Sequence, residues 1–351
     1  MQTLIAGLLV FTVVVSFHEF CHLLAAKWFG VKVKVYSIGF WKRIVWKRFG
    51  DTEYRISILP IGGYVRLAGE EGASDKDKGE DKNELPERLF SNKSAWQRFL
   101  IAAAGPASNY LLAFTLFAGV YFFHGLPVDN TYIAVAENFP AMNAGLKNED
   151  RIITVNGRAV SSWNQLRVAI TEFGGQVLLI EIERDKEVLS LKVKPEFHES
   201  AKRWVIGIQP IQKYGNVYNF KESVMNGAKD IYAFTVITIK GIANIILGKI
   251  SAKENLGGPI TVVQMSGSVA KLGFYNFAYW IGIISLSIGF FNFLPWPPLD
   301  GGHMAFNLLE IVMGRPLNQE IKIMAFNFGI LLLIMLFFFT IYVDLGRLFG
   351  F

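Results

Sequence analysis

Apolar residues in this 351-residue chain fall in long blocks separated by polar stretches. The blocks cover 4–28, 99–123, 275–294 and 323–343. A helix needs roughly 20 apolar residues to cross the hydrocarbon core of a bilayer, which is about 30 Å thick. The pattern therefore predicts a polytopic α-helical membrane protein with about four spanning helices.

The segment 31–68, between the first two blocks, changes to a period of two. Valines alternate with lysines over 31–35, and apolar residues alternate with polar ones over 54–58. This alternation is typical of β-strands, and glycines such as Gly62-Gly63 supply turns. We expect a small membrane-associated β-meander over 31–68.

Polar and alternating segments predict two further regions. The segment 69–97 is charged and poor in apolar residues, which is typical of a linker. Short alternating runs such as 177–182 and 189–193 predict a small α/β domain over 125–215. Its composition also predicts one short helix, at 161–173.

The stretch 231–247 is apolar but carries Lys240 near its middle. We expect 216–274 to form helices that lie at the membrane interface, with this lysine reaching towards water. The spanning segments are then a first helix at 1–30, a second at 98–124, a third that includes the LDGG sequence at 275–302, and a loop with a fourth helix at 303–351.

Composition and charge support this arrangement. Hydrophobic residues make up 52% of the chain and charged residues 18%, with a net charge of +6. Lysines and arginines collect around the first two spans, and positive flanks stay in the cytoplasm. The meander and linker are therefore predicted to be cytoplasmic, and the 125–215 domain and the 216–274 helices extracytoplasmic. No nucleic-acid-binding module is visible, so we expect a lipid bilayer and no nucleic acid as partner.

The first block contains the sequence His18-Glu19-Phe20-Cys21-His22. On a helix, His18 and His22 lie about 40° apart and one turn displaced, so both imidazoles can hold one metal ion. Glu19 flanks that position, where a carboxylate can act on metal-bound water. Ionisable residues inside a span are costly and usually functional. The alternative is a buried hydrogen-bonded trio without metal.

A catalytic zinc site usually has three protein ligands and one open position. Our candidate for the third ligand is Asp300, which follows the span at 275–294. Counting the crossings places Asp300 on the same side of the membrane as His22, provided that 231–247 does not cross. The alternative is an Asp that opens a turn before two glycines.

Three motifs together resemble the site-2 protease family. They are the early H-E-x-x-H, then Gly105-Pro106-x-x-Asn109, then N-x-x-P…L-D-G-G, which begins at Asn292. The combination is similar to the bacterial regulator-of-sigma-E branch and covers nearly the whole chain.

The resemblance implies a zinc ion held by His18, His22 and Asp300, with Glu19 as the general base. It implies a metalloendopeptidase of the bacterial inner membrane that cuts within or near the transmembrane segment of single-pass membrane proteins. Regulated intramembrane proteolysis of substrates similar to anti-sigma factors or signal peptides is the expected role.

Two further positions are candidates for substrate binding. The family implies that Asn292 holds substrate backbone near the metal, although a helix–helix hydrogen bond is an equally ordinary use of Asn. Gly62 and Gly63 leave room for an unwound substrate to add as a strand. A plain hairpin turn explains these glycines equally well.

Residues 140–163 resemble the core of a PDZ domain, and a peptide or protein ligand is implied for it. Glu149 stands where a glycine is usual, so an unrelated small β-rich domain is the alternative. Members of the branch often carry two such domains, and this chain has room for one. Phe293 and Trp296 are also bulkier than the usual residues beside the third ligand.

Two other functions fit parts of the pattern. A metal transporter would use the same histidines and Asp300 as a transport site, but we see no continuous second polar face. A scaffold that presents a PDZ-like domain would not need His18, Glu19, His22 and Asp300 together.

Overall fold

The computed structural model describes residues 1–70, 84–125, 127–128, 130–137, 139–198, 203–211, 213–214 and 217–349. The chain divides into two compact units. The first contains Met1–Phe122 and Asn219–Phe351, and the second contains Phe123–Tyr218. Residues 71–83 of the predicted linker lie outside the described residues.

The described residues form helices in both units. In chain order they are α1 (Gln2–Trp28), α2 (Ala95–Phe123), α3 (Pro140–Asn143), α4 (Trp163–Glu172), α5 (Phe220–Ile246), α6 (Ala252–Asn255), α7 (Pro259–Ala270), α8 (Phe274–Phe293), α9 (Asp300–Met313) and α10 (Gln319–Phe349). Two 3-10 turns, Pro86–Arg88 and Phe90–Asn92, precede α2.

The strands divide between the two units in the same way. The first unit has β1 (Val33–Phe49) and β2 (Thr52–Leu67). The second has β3 (Pro127–Val128), β4 (Ile133–Val135), β5 (Arg151–Val155), β6 (Arg158–Ala159), β7 (Leu178–Arg184), β8 (Glu187–Val193), β9 (Glu196–His198), β10 (Arg203–Val205), β11 (Ile208–Pro210) and β12 (Lys213–Tyr214).

Four of the described helices are long and apolar enough to cross a membrane, namely α1, α2, α8 and α10. Their lengths of 27, 29, 20 and 31 residues meet the span of a bilayer core. The expectation of about four such helices is thereby confirmed. The 27-residue α5 is not among them, and it carries Lys229, Asp230 and Lys240.

The third long helix ends earlier than the sequence analysis placed it. α8 stops at Phe293, the chain runs irregularly through 294–299, and Asp300 begins α9. Prolines at 295, 297 and 298 explain the break, because each lacks an N–H and its ring clashes with a preceding helical turn. The LDGG sequence therefore opens a separate helix, in a region where we had expected the end of a span and a loop.

β1 and β2 form a long, bent hairpin with its turn at Gly50-Asp51. Residues 35–38 pair with 63–66 on one side and 53–56 on the other, whereas 43–49 pair with 52–57. Gly62-Gly63 lie inside β2 and not in the hairpin turn. Gly62 has φ +98°, and a Cβ there would come within 2.6 Å of the Phe40 ring, so this bend in the strand requires glycine.

Small residues and one buried carboxylate fasten α7 in the first unit. A Cβ on Gly7 of α1 would lie 2.7 Å from Val263 of α7, so the two helices are in close contact. The Asp344 carboxylate of α10 accepts the N–H groups of Gly258, Ile260 and Thr261 at 2.9 to 3.1 Å. A carboxylate at a helix N-terminus satisfies free donors and complements the helix dipole.

The second unit is a small α/β unit with its own core. Its main sheet is antiparallel, with strand order β6-β5-β7-β8. Buried aliphatic side chains from this sheet and from α4 form the core. The buried Asp150 accepts two hydrogen bonds from Arg184 at 2.7 Å and the Lys147 N–H at 2.8 Å, so its charge is paired.

Candidate metal centre

The two histidines and Asp300 meet within the first unit. His18 and His22 lie one turn apart on α1, and their Nε2 atoms are 3.1 Å apart. Asp300 is the first residue of α9, and its carboxylate lies 3.0 Å from His18 Nε2 and 3.4 Å from His22 Nε2. These are the residues whose ligand atoms lie within 4.8 Å of one another.

This spacing fits a zinc ion. Nitrogen and oxygen ligands lie at about 2.0–2.2 Å from zinc, so two ligand atoms of a tetrahedral site are about 3.3 Å apart. The two Nε2 atoms are 3.1 Å apart, close to that value, and Asp300 approaches His18 with Oδ2 at 3.0 Å and His22 with Oδ1 at 3.4 Å. Two imidazoles and one carboxylate also form a donor set typical of catalytic zinc, with the fourth position left for water.

Gly105 of α2 keeps space open in front of the two histidines. A Cβ at this position would lie 2.2 Å from His22 Nε2 and 2.5 Å from His18 Nε2. Any side chain here would therefore clash with both imidazole rings. The crossing of α1 and α2 at this point requires glycine, and the two rings keep their present positions only while it is there.

Backbone and side-chain groups of α2 orient both imidazoles. His22 Nδ1 lies 2.8 Å from the Ile101 carbonyl, which can only accept, so Nδ1 donates and Nε2 keeps a lone pair. The Asn109 amide lies 3.2 Å from His18 Nδ1. The atom that faces the ring is Nδ2, and Asn109 Oδ1 is buried without a hydrogen-bond partner. A 180° turn of the amide would bring the oxygen to His18 Nδ1, which would then donate and give His18 the same tautomer as His22.

Glu19 contacts the hairpin. Its Oε2 accepts the Val65 N–H at 3.1 Å, and a Cβ on Gly63 would lie 3.6 Å from Glu19 Cγ. About two turns earlier on α1, Thr12 Oγ1 donates to the Pro60 carbonyl at 2.7 Å. The edge of β2 thus runs along α1 with its backbone turned towards the site.

A cavity of about 250 Å³ opens beside the histidines. Glu19, His22 and Asp300 form its inner wall. The other polar lining residues are Glu70, Ser91, Arg98, His303, Asn307 and Lys322. Polar walls of this kind can hold water, which peptide hydrolysis consumes.

A buried ion cluster lies at the far end of α9. The Glu310 carboxylate, 5% exposed, contacts the Arg98 guanidinium of α2 and lies 2.9 Å from the Lys322 amine of α10. It also accepts the Leu317 N–H at 3.1 Å. Burial alone would raise the pKa of Glu310. The three donors together lower it by more than burial raises it, so the pKa lies below its ordinary value. One carboxylate therefore ties three helices together beside the cavity.

The two asparagines of the sequence motifs lie in different surroundings. Asn292 lies half-buried in the last turn of α8. Asn109, which received no role from the sequence, is fully buried and lies against His18. A signal for it was present, because a polar amide inside an otherwise apolar span is costly and usually functional. Gly105 stood in the same motif as Asn109 but received no role, and Glu310 was not singled out.

Comparisons with known proteins indicate the family of the chain. The peptidase family M50 matches residues 6–336. Relatives from Rhizobium meliloti, Rickettsia conorii and Campylobacter jejuni each carry the name "putative zinc metalloprotease". They are 32%, 31% and 31% identical, over 98%, 100% and 99% of this chain and 96%, 100% and 94% of their own lengths.

Among solved structures, the PDZ domain of an SdrC-like protein from Listeria monocytogenes aligns with 24% of this chain and 86% of its own. The identity is 21% and the TM-score 0.20, which is too low to establish the fold of the second unit. The family match, however, spans nearly the whole chain and confirms the resemblance seen in the motifs. The chain therefore belongs to peptidase family M50, and is a multi-pass membrane zinc metalloprotease of the site-2 type.

Proposed function

We propose that this protease cuts a peptide bond within or near the transmembrane segment of single-pass membrane proteins, in regulated intramembrane proteolysis. His18, His22 and Asp300 hold the zinc ion, and Glu19 is the general base. The observation that carries the proposal is the position of the site: His18, Glu19 and His22 belong to an apolar helix long enough to cross the bilayer. A substrate must therefore reach them at membrane depth.

The roles of the side chains follow from their contacts. A bound zinc ion would polarise the scissile carbonyl and acidify a water molecule. Glu19 takes a proton from the attacking water and delivers it to the leaving amine. The Val65 N–H binds one carboxylate oxygen of Glu19 and orients the side chain, which leaves the second oxygen for the proton.

The substrate helix has to unwind, because the carbonyl groups of an intact helix are hydrogen-bonded and shielded. We propose that the unwound segment adds as a strand along β2 near Gly62 and Gly63. The Val65 N–H supports this idea, since it points to Glu19 and shows that this edge of β2 faces the site. Asn292, at the end of α8, is our candidate for a further contact to substrate backbone.

We propose that the protein lies in the bacterial inner membrane with the hairpin and linker cytoplasmic and the second unit outside. Lysines and arginines concentrated in 31–98 support this orientation. The second unit is then a PDZ-like filter for substrates or a peptide-binding domain. It has a groove of about 420 Å³ between α4 and residues 203–209, with Arg167 and Arg203 at its rim.

Cleavage of a tagged single-pass substrate in reconstituted vesicles tests this function. Fragment masses should place the cut inside or at the edge of the transmembrane segment. Replacing helix-weakening Gly and Pro residues of that segment by Leu should slow cleavage, because unwinding then costs more. The same replacements in the soluble part of the substrate are the control. Cuts confined to the soluble part would rule out the proposal.

A further inference from the structure

The excess positive charge of the chain is concentrated in one region. Residues 31–68 contain eight lysines and arginines and two acidic residues, a net charge of +6. The whole chain also carries +6, so all other residues together are neutral. A field of this size around one hairpin predicts an anionic partner.

All residues at the far end of the hairpin are exposed. We define the hairpin tip as Phe40–Asp51, the second half of β1 and the turn, and all its residues are exposed. They include Trp41, 75% exposed, and Trp46, 52% exposed. Ile44, Val45 and Phe49 are each more than 60% exposed. Large apolar side chains clustered in this way mark a surface that is covered in use.

Aromatic and cationic side chains of the tip are interleaved. The Arg43 guanidinium lies 4.4 Å from the centre of the Trp46 ring, and the Lys47 amine lies 4.9 Å from that of Phe49. At a membrane surface, aromatic rings occupy the headgroup level while the charged ends of Lys and Arg reach the phosphates. The tip presents the two kinds of group side by side.

The position of the hairpin along the chain specifies a bilayer and not another protein. The hairpin follows α1, which ends at Trp28, and precedes α2, which begins at Ala95, and both helices are long enough to span. Trp28 and Trp96 at these ends are 87% and 55% exposed. The hairpin is therefore joined on both sides to helices able to span a bilayer, which favours a lipid partner for its tip.

We propose that the hairpin tip binds the headgroups of anionic phospholipids, with Trp41 and Trp46 inserted between them. The contact reaches the site through β2, whose Val65 N–H binds Glu19. Anionic lipid thus holds the strand that lies against the catalytic residues. Only this last consequence rests on the proposed function, because headgroup binding does not depend on the substrate.

Tryptophan quenching by brominated lipids in vesicles tests the headgroup contact on the full chain. Brominated phosphatidylglycerol should quench the tip more strongly than brominated phosphatidylcholine at equal mole fraction. The fluorescence of the tip tryptophans is obtained by subtracting the signal of the double variant Trp41→Phe/Trp46→Phe from that of wild type. Salt should weaken the preference, since it screens charges at a surface.

Removing the tip charges should abolish the preference for phosphatidylglycerol. One basic residue near an anionic surface contributes about fivefold in local binding, so four together exceed the precision of the assay. The test variant is Lys42→Gln/Arg43→Gln/Lys47→Gln/Arg48→Gln. The matched control removes four exposed lysines of the second unit, as Lys147→Gln/Lys186→Gln/Lys192→Gln/Lys194→Gln, and should keep the preference.

Several outcomes would overturn the proposal. Equal quenching by the two lipids in wild type, or a preference that salt does not change, would do so without any variant. A preference that survives in the tip variant would also do so. If the tip variant lost substrate cleavage equally in membranes of pure phosphatidylcholine, the tip would contact an acidic protein segment. If no sample cleaved the substrate, the proposed function would be contradicted. The quenching measurement would still test headgroup binding, because it does not depend on cleavage.

Discussion

Gly105 shows how the proposed metal site depends on one missing side chain. Its backbone faces His18 and His22 so closely that a Cβ would lie 2.2 and 2.5 Å from their Nε2 atoms. The site therefore depends on the crossing of α1 and α2 as much as on its ligands.

The variant Gly105→Ala should lose zinc, because its methyl group would clash with both imidazole rings and displace them. Zinc affinity should fall by more than the roughly 10- to 100-fold that follows loss of a supporting hydrogen bond. Gly119→Ala on the same helix is the control, since a Cβ there meets nothing within 4 Å. Both changes favour helix formation equally. A difference in zinc binding between the two variants therefore reports the steric clash at position 105. Equal zinc content in the two variants would contradict the account.

Asn109 should act through His18. Replacing it by Leu removes the partner of His18 Nδ1, and we expect zinc affinity to fall about 10- to 100-fold. Thr115→Val is the control on α2, because Thr115 donates to Leu111 of its own helix. Competition with a chelator measures both affinities. Undiminished affinity in Asn109→Leu would remove Asn109 from the site.

The sequence predicted the candidate ligands, but it marked Gly105 and Asn109 only as part of a motif and gave them no role. The spacing of His18 and His22 on one helix is local, so the helical period alone predicts a shared metal. Gly105 and Asn109 act across two helices, and one sequence does not reveal how helices cross. The position of Gly62-Gly63 also became clear only from the pairing of β1 with β2. The two glycines lie within strand β2, whereas the sequence had suggested a turn.

Among the elements, α9 decides where Asp300 lies. It is a 14-residue helix that begins with the ligand and ends at Gly314, whose φ of +66° closes the helix. An irregular proline segment precedes it, so its direction depends on its other contacts. Glu310 supplies one of them through Arg98 of α2 and Lys322 of α10. Hydropathy could not identify this helix, because its length lies between those of a loop and a span.

Glu310→Gln should loosen α9, since it leaves two largely buried cations without their anion. Breaking a buried ion pair costs about 3–5 kcal/mol, and we expect a lower unfolding temperature and weaker zinc binding. Glu320→Gln is the control, because Glu320 is exposed in the first turn of α10 and surface changes stay within about 0.5 kcal/mol. Replacing Arg98, Glu310 and Lys322 together by apolar residues should recover much of the stability.

The same cluster predicts a pH dependence. The folded-state pKa of Glu310 is lowered, so its contribution to stability is present above the unfolded pKa, about 4.3. That contribution is lost as pH falls through the lower, folded value. Wild type should thus lose stability on acidification more steeply than Glu310→Gln, as thermal unfolding at a series of pH values would show. Parallel curves would exclude this role.

For the molecule as a whole, the sequence predicted the class and the order of its parts. Apolar blocks indicated four helices able to span, because bilayer thickness imposes one length on all of them. The helical break before Asp300 follows from its prolines, but the separate helix after it does not. Charge suggests which side each part faces, and the described structure adds that the positive charge lies on an exposed hairpin beside two candidate spans.

The most direct test of the central claim compares wild type with Glu19→Gln in membranes that contain a tagged single-pass substrate, with zinc measured in both. Wild type should cleave the substrate, and Glu19→Gln should bind equal zinc and not cleave, because the ligands remain while the base is lost. Undiminished cleavage by Glu19→Gln, or no zinc in either protein, would contradict the account.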